Sequence, residues 1–305
     1  MLSSSFEFLP EYIEMYKRDG FVRLPGFFSI DFVNYVKEKI QNQMTTLDKE
    51  QTSFNKIGYD IFEEDQNVFN LIQSKIFQFI MKELTGHELF FSQAIGFEIE
   101  KEKHTGFPWH IGTQSFGYHQ GNDFGCSIWT PLIPIKYEKQ GGGMSYVSES
   151  KLSGKFMYDF IDPAIDRLLE AYEESGPNQL SMDEFAIIRH GALNSPAMDH
   201  LLDFHKQVDN FELGDVLLFN KNIIHASEPL QDGPITARCA FVMRFIDVMS
   251  TYDQKRAEGL EFPRKYFGNP QKSNFHMDVC KSDGEKICQS NFFKNPELRF
   301  LNTHL

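Results

Sequence analysis

Tryptophan, cysteine and positive charge are all scarce in this 305-residue chain, and the last two shortages exclude whole classes of partner and site. Thirty Lys and Arg stand against 43 Asp and Glu, a formal net charge of −13. Holding nucleic acid or an anionic membrane surface takes a basic face, so neither is an expected partner. The four cysteines, Cys126, Cys239, Cys280 and Cys288, form no CxxC pair and no zinc-type spacing. Cys126 and Cys239 lie in apolar runs and read as buried thiols. Cys280 and Cys288 are near enough in sequence to pair, but a reducing compartment suits so few cysteines better, and the expected location is cytoplasmic. Residues 1–10 carry neither a basic n-region nor a long apolar h-region. No run of about 18 apolar residues occurs either, so no signal peptide and no membrane span are expected. Internal repeats and low-complexity tracts are also lacking.

Phenylalanine, by contrast, is abundant, with 31 residues. Most of these suit core packing, and some suit an apolar pocket for a small-molecule substrate. The length is enough to bury a sizeable core without disulfides, and the chain reads as one domain over residues 1–305.

The first third reads as helical. Residues 10–18 form a short helix that stops before Asp19-Gly20, and a short strand and turn follow over 20–27. Ser29 caps a helix running to about residue 44, with Phe32, Val33, Val36 and Ile40 on one face. Val68, Ile72, Ile76, Phe79 and Ile80 recur at helical spacing and predict one helix over 67–84, ended by Gly86. From residue 88 the pattern changes to short apolar runs between Gly and Pro. Strands are expected over 89–100, 126–132, 143–147, 216–219 and 239–245. That density of short strands predicts a mainly β barrel or jelly roll flanked by helices. A helical insertion over about 154–208 interrupts the strands. Asp162-Pro163 and Ser195-Pro196 start helices there, and Ser181 to Glu184 have capping-box spacing. Lying between two strands, the insertion either covers the barrel mouth as a lid or decorates its side.

Three segments carry chemistry. They are Phe107-Pro108-Trp109-His110-Ile111-Gly112, the run from Gln140 through Gly141-Gly142-Gly143 to Val147, and Gly214-Asp215 with the strand to Phe219. His225 and Ser227 follow the last, two positions apart and so on one side of an extended chain. Arg238 stands between Ala237 and Cys239 in an apolar strand, where a lone charge is costly unless paired. Its partner is either an acidic side chain or a bound dicarboxylate, which a guanidinium grips as a fork.

In order and spacing these segments resemble the phytanoyl-CoA dioxygenase family of Fe(II)/2-oxoglutarate oxygenases, over most of the chain from Asp19-Gly20-Phe21-Val22 to about Phe245. The resemblance implies a double-stranded β-helix, a cupin-like barrel, and an enzyme that uses Fe(II), 2-oxoglutarate and O2 on an unactivated C–H bond. It implies His110 and His225 as iron ligands, and Arg238 with Ser227 as the clamp on the distal carboxylate of 2-oxoglutarate. His119-Gln120-Gly121 repeats the His-x-Gly pattern, but Trp109-His110 sits better against the family's spacing. Phe116, Tyr118 and Met144 are candidate substrate contacts, with core packing as the alternative for each.

One departure matters. The family's pattern is His-x-Asp, which completes a two-histidine, one-carboxylate triad; here Gly112 stands in the third position. In this the chain resembles the iron/2-oxoglutarate halogenases, where chloride or bromide fills the gap. A carboxylate from elsewhere, such as Asp123, or water beside two histidines would also fill it. The outcome is then hydroxylation, desaturation or ring closure. A non-catalytic ligand-binding barrel is the alternative from outside the enzymes.

Overall fold

The computed structural model describes residues 1–46, 55–59, 61–175, 191–267 and 275–301. The N-terminal helices form where the apolar spacing places them. α1 (Pro10–Asp19) has Pro at its first position and ends on Gly20 in the left-handed region. α2 (Ile30–Gln43) is capped by the Ser29 hydroxyl, which accepts from the Phe32 N–H. The helix expected over 67–84 is two helices, α3 (Gln66–Ile72) and α4 (Lys75–Thr85). The Ser74 backbone is extended, and its side chain caps the second helix by accepting from Phe77 N–H. A helical repeat read straight across that break points the wrong way. Ile76 and Phe79, expected on the buried face, are 66% and 52% exposed.

Among the described residues, eleven strands divide between two sheets. The larger contains β1 (Phe21–Leu24), β2 (Thr45–Thr46), β3 (Lys56–Tyr59), β4 (Leu89–Glu100), β5 (Gly125–Pro131), β8 (Val216–Asn220), β10 (Ala237–Asp247) and β11 (Phe300–Leu301). Its order is β1-β8-β5-β10-β4-β3-β2, with β11 also pairing β4. The smaller contains β6 (Met144–Val147), β7 (Gln207–Val208) and β9 (Ile224–Ser227), in the order β7-β6-β9. All the strand pairs are antiparallel. Among the described residues no strand ladder joins the two sheets, so the expected barrel is a pair of facing sheets rather than one closed ring of hydrogen bonds.

Both faces of the large sheet are covered, and β4 is accordingly buried along nearly its whole length, Ser92, Gln93 and Glu98 included. On the outer face, Cys239, Phe241, Met243 and Phe245 of β10 pack against Phe32, Val36, Ile40, Phe77 and Ile80 of the helices. On the inner face, Ile95, Phe97, Trp129, Phe219, Ala240 and Val242 meet Met144 and Tyr146 of the small sheet. The space between these inner faces holds the site.

The described part of the insertion packs on the outer face of the small sheet. Met157, Tyr158, Leu193 and Leu202 cluster with Val147, Ile224 and Ala226, so this part lies beside the sheet. Ser195 caps a helix over Pro196–His205, as expected. The helix begun at Asp162-Pro163 instead continues a π-helical turn over Met157–Ile161. The capping box at 181–184 falls outside the described residues. All four cysteines are buried free thiols, Cys280 and Cys288 included. Among the described residues no helix is long and apolar enough to cross a membrane.

Candidate functional site

β9 alternates Ile224 and Ala226 outward with His225 and Ser227 inward. Directly opposite on β6, Tyr146 pairs with His225 and Met144 with Ser227, so these four side chains share the inner face. The segment carrying His110 extends this small sheet by one antiparallel bridge, His110 to His225. The two imidazole rings lie 4.1 Å apart, centroid to centroid. Across the gap, the Phe219 ring of the large sheet is 4.8 Å from His225.

The two histidines are prepared alike. Nδ1 of His110 lies 2.7 Å from Pro108 O, and Nδ1 of His225 lies 2.8 Å from Ile223 O. A carbonyl oxygen only accepts, so each Nδ1 carries the hydrogen and each Nε2 presents a lone pair, the form a metal takes up. Burial and the charge of Arg244 push His110 down to about 4, against the hydrogen bonds that raise it. Burial, then His110 and Arg244, hold His225 well below the usual imidazole range. Both rings are therefore neutral at pH 7. Among the described residues no third His, Cys, Asp or Glu joins them to complete a three-residue metal cluster. Asp123 is engaged elsewhere: its Oδ2 accepts from Thr251 N–H at 2.8 Å and lies 3.9 Å from His119 Nδ1.

Arg238 opens the inward row of β10 and is fully buried. The guanidinium carbon lies 5.5 Å from the Phe97 ring centre and 5.9 Å from that of Trp129. None of its three nitrogens has a hydrogen-bond partner. Burial brings it down to about 10, which leaves it charged at neutral pH. A buried, charged and unpartnered guanidinium costs several kcal/mol, roughly the penalty of an ion taken out of water. The structural ion pair that would have explained Arg238 is therefore lacking among the described residues. Trp129 Nε1 is likewise buried with no acceptor. Two neighbouring side chains thus bury donors that lack acceptors.

Ser227 is held from both ends. Its N–H donates to Phe107 O at 2.9 Å, and its Oγ accepts from Phe107 N–H at 3.1 Å, so its own O–H remains to donate. Gly106 makes this approach possible. It has φ +73°, and a Cβ there would fall 2.3 Å from Ser227 Cβ.

The structure thus brings His110, His225, Ser227, Arg238 and Met144 to one space. Phe116 and Tyr118 pack instead with Phe90, Tyr252 and Phe275. A short helical turn, Thr113–Phe116, breaks the extended chain after Gly112. His119 is also fully buried, with Tyr118 and Phe116 as ring neighbours.

Trp129, Gln93 and Arg244 were not legible as site residues in the motifs. Arg244 donates to Gln93 Oε1 at 2.5 Å, and its charge is felt by both histidines. Counting by twos from Arg238 through Ala240 and Val242 would have found it on the same face.

No protein-family model matches the chain, and no curated protein matches it in sequence. Solved structures do match. The non-heme α-ketoglutarate-dependent carbocyclase SnoK from nogalamycin biosynthesis has a TM-score of 0.59 at 15% identity, covering 92% of this chain and 93% of its own. The epimerase SnoN, in complex with Fe3+, α-ketoglutarate and nogalamycin RO, has a TM-score of 0.56 at 14% identity, covering 90% and 91%. EctD from S. alaskensis with bound Fe has a TM-score of 0.54 at 14% identity, covering 83% and 82%. At these identities the likeness establishes the fold, which this chain shares with all three.

Proposed function

We propose that this chain is an Fe(II)- and 2-oxoglutarate-dependent enzyme acting on an unactivated C–H bond of a small metabolite or natural-product intermediate. The observation that carries this is Arg238, a buried guanidinium without a partner, across the inter-sheet space from two neutral histidines whose Nε2 lone pairs are free to bind metal. The fold likeness to proteins that bind iron and α-ketoglutarate (2-oxoglutarate) supports the same reading. So does the two-sheet arrangement, as a double-stranded β-helix of the phytanoyl-CoA dioxygenase type.

In this reading His110 and His225 hold Fe(II), and their backbone-bonded Nδ1 atoms fix ring orientation. Arg238 grips the distal carboxylate of 2-oxoglutarate as a bidentate fork, with Trp129 Nε1–H and Ser227 O–H as further donors. The dicarboxylate repays the desolvation that Arg238 has already suffered. Phe97, Trp129, Phe219 and Val242 keep water from the charged contact, which strengthens it. Arg244 adds a second positive charge near the histidines, and Met144 supplies apolar wall. Iron, when bound, supplies the activation of O2 coupled to decarboxylation of 2-oxoglutarate.

The reaction outcome depends on what fills the position that Gly112 leaves without a carboxylate. Halogenation requires chloride there; hydroxylation, desaturation and ring closure proceed with water. The test is Fe(II)- and O2-dependent conversion of 2-oxoglutarate to succinate, measured without substrate. Slow succinate formation that is lost in His110→Ala and Arg238→Met supports the enzyme. A folded protein that binds 2-oxoglutarate and yields no succinate is a ligand-binding barrel instead.

A further inference from the structure

Gly112 does more than omit a carboxylate: the space its side chain would occupy is already filled. A Cβ built on Gly112 would lie 2.8 Å from Cδ2 of Phe116, closer than real Cβ contacts come. It would also meet Lys221 O at 3.0 Å and Lys221 Cβ at 3.1 Å. The backbone itself is no obstacle, since Gly112 has φ −65°, open to any L-residue. The obstacle is the Phe116 ring. A Cβ at Gly125, on the other side, would lie 2.9 Å from both Cδ1 and Cε1 of the same ring. Phe116 is thus seated in a slot that exists because two glycines form it. Backbone contacts fix the slot: Phe116 N–H donates to Gly112 O at 2.8 Å, Gly112 N–H to Lys221 O at 3.0 Å, and Lys221 N–H to Gly125 O at 2.8 Å.

We propose that Phe116 is a specificity-determining residue of the metal site: its ring, wedged between Gly112 and Gly125, excludes any side chain from position 112. Position 112 therefore supplies no ligand to the metal, and among the described residues no other carboxylate joins the two histidines, so the third coordination position is left to an exogenous ligand, water or halide. This rests on His110 and His225 holding the metal. It also explains how a residue packed behind the inter-sheet space can decide what reaches iron without touching substrate. Replacing Gly112 by Asp alone would not restore a carboxylate triad, because the ring and the Lys221 carbonyl stand in the way.

The test uses the metal-free protein first and Co(II) second, so that the steric claim and the metal reading fail separately. Gly112→Ala adds only the Cβ. It is expected to lower the melting temperature by several degrees in the native background and by much less in the Phe116→Ala background, where only the Lys221 contacts must give. An equal loss in both backgrounds, or no loss in the native one, overturns the wedge. Next, Gly112→Asp/Phe116→Ala is compared with Phe116→Ala by Co(II) titration and visible absorption. Binding at least tenfold tighter with an altered d–d spectrum is expected, while Gly112→Asp alone binds no tighter than the native chain. A double variant no tighter than Phe116→Ala shows that position 112 does not face the metal, and overturns the proposal. Failure of the native chain itself to bind Co(II) would instead remove the two-histidine reading, with the melting data still judging the wedge.

Discussion

His110 and His225 exchange both of their backbone hydrogen bonds, N–H to O at 2.9 Å in each direction. In an antiparallel pair this places the two side chains on one face, and here the rings sit 4.1 Å apart. The geometry of this proposed metal-binding pair is therefore set by main-chain pairing between segments 115 residues apart. Removing either imidazole leaves one ligand where a metal needs at least two. His110→Ala and His225→Ala should each weaken Co(II) or Fe(II) binding by ~100-fold or more, beyond what loss of an outer-shell partner costs. Equilibrium titration of each variant checks this, with circular dichroism to confirm the fold.

The same pair predicts an unusual pH response of metal binding. Protons compete with metal only below the pKa of the free ligand, and His110 lies at about 4 rather than 6.5, with His225 also lowered. Co(II) affinity should stay nearly constant from pH 8 down to about 5 and fall only below that. An ordinary exposed histidine pair would lose affinity from about pH 6.5. Titrations at half-unit intervals separate the two.

Arg238 sets stability against function. Arg238→Met removes a buried charge that has no partner and keeps most of the volume. The ligand-free variant should be more stable than the native chain, by roughly 1–4 kcal/mol on the scale known for replacing buried ion pairs by apolar groups. It should also lose 2-oxoglutarate binding. Saturating 2-oxoglutarate then raises the melting temperature of the native protein only, since ~100 Kd of ligand is worth about 2.7 kcal/mol. A variant that is less stable and still binds would show Arg238 to be structural.

Trp129 offers a finer probe. Trp129→Phe keeps an aromatic ring beside Arg238 and deletes only the indole N–H. One lost hydrogen bond to a charged acceptor is worth about 1.5–3 kcal/mol, so 2-oxoglutarate affinity should fall ~10-fold or more. Calorimetry on the metal-loaded protein under anaerobic conditions reads the change directly.

His119 predicts an acid-sensitive fold independent of the His110–His225 pair. It is fully buried with neither ring nitrogen hydrogen-bonded. Burial, then the charges of Lys221 and Arg256, hold it well below 6.5. Above pH 6.5 the ring is neutral folded and unfolded, and its full contribution to stability is present. As pH falls below 6.5 the unfolded chain takes up a proton that the folded chain refuses, so stability is lost until the folded pKa is reached. The loss from this one group approaches about 1.4 kcal/mol per pH unit. In His119→Phe the slope of unfolding free energy between pH 6 and 5, from urea titrations, should be shallower by that amount.

Much of this was legible because the relevant signals are local. β4 spans residues 89–100 as expected, since apolar runs between turn residues define a strand without help from the rest of the chain. Ser29, Ser195 and Gly86 punctuate helices for the same reason. The break at Ser74 escaped because both halves of 67–84 are apolar and periodic, and only the change of phase betrays two helices. In the site, His225 and Ser227 follow from alternation along β9, and His110 from its motif. Arg238 is ambiguous in sequence because the chain offers 43 acidic residues as partners; in the structure its three nitrogens have no hydrogen-bond partner among the described residues. The placement of Phe116 against Gly112 and Gly125 was not legible, because the contact joins three loop and strand ends through tertiary packing.

The most direct test of the proposed iron and 2-oxoglutarate site is an anaerobic optical titration of the metal-free protein with Fe(II) and then 2-oxoglutarate, with and without chloride. A visible charge-transfer band that requires both components, and is lost in Arg238→Met and His225→Ala, is the predicted result. Its shift on adding chloride would make halide the exogenous ligand of the metal, and indifference to chloride would make that ligand water. A folded protein that develops no band with Fe(II) and 2-oxoglutarate would contradict the site altogether.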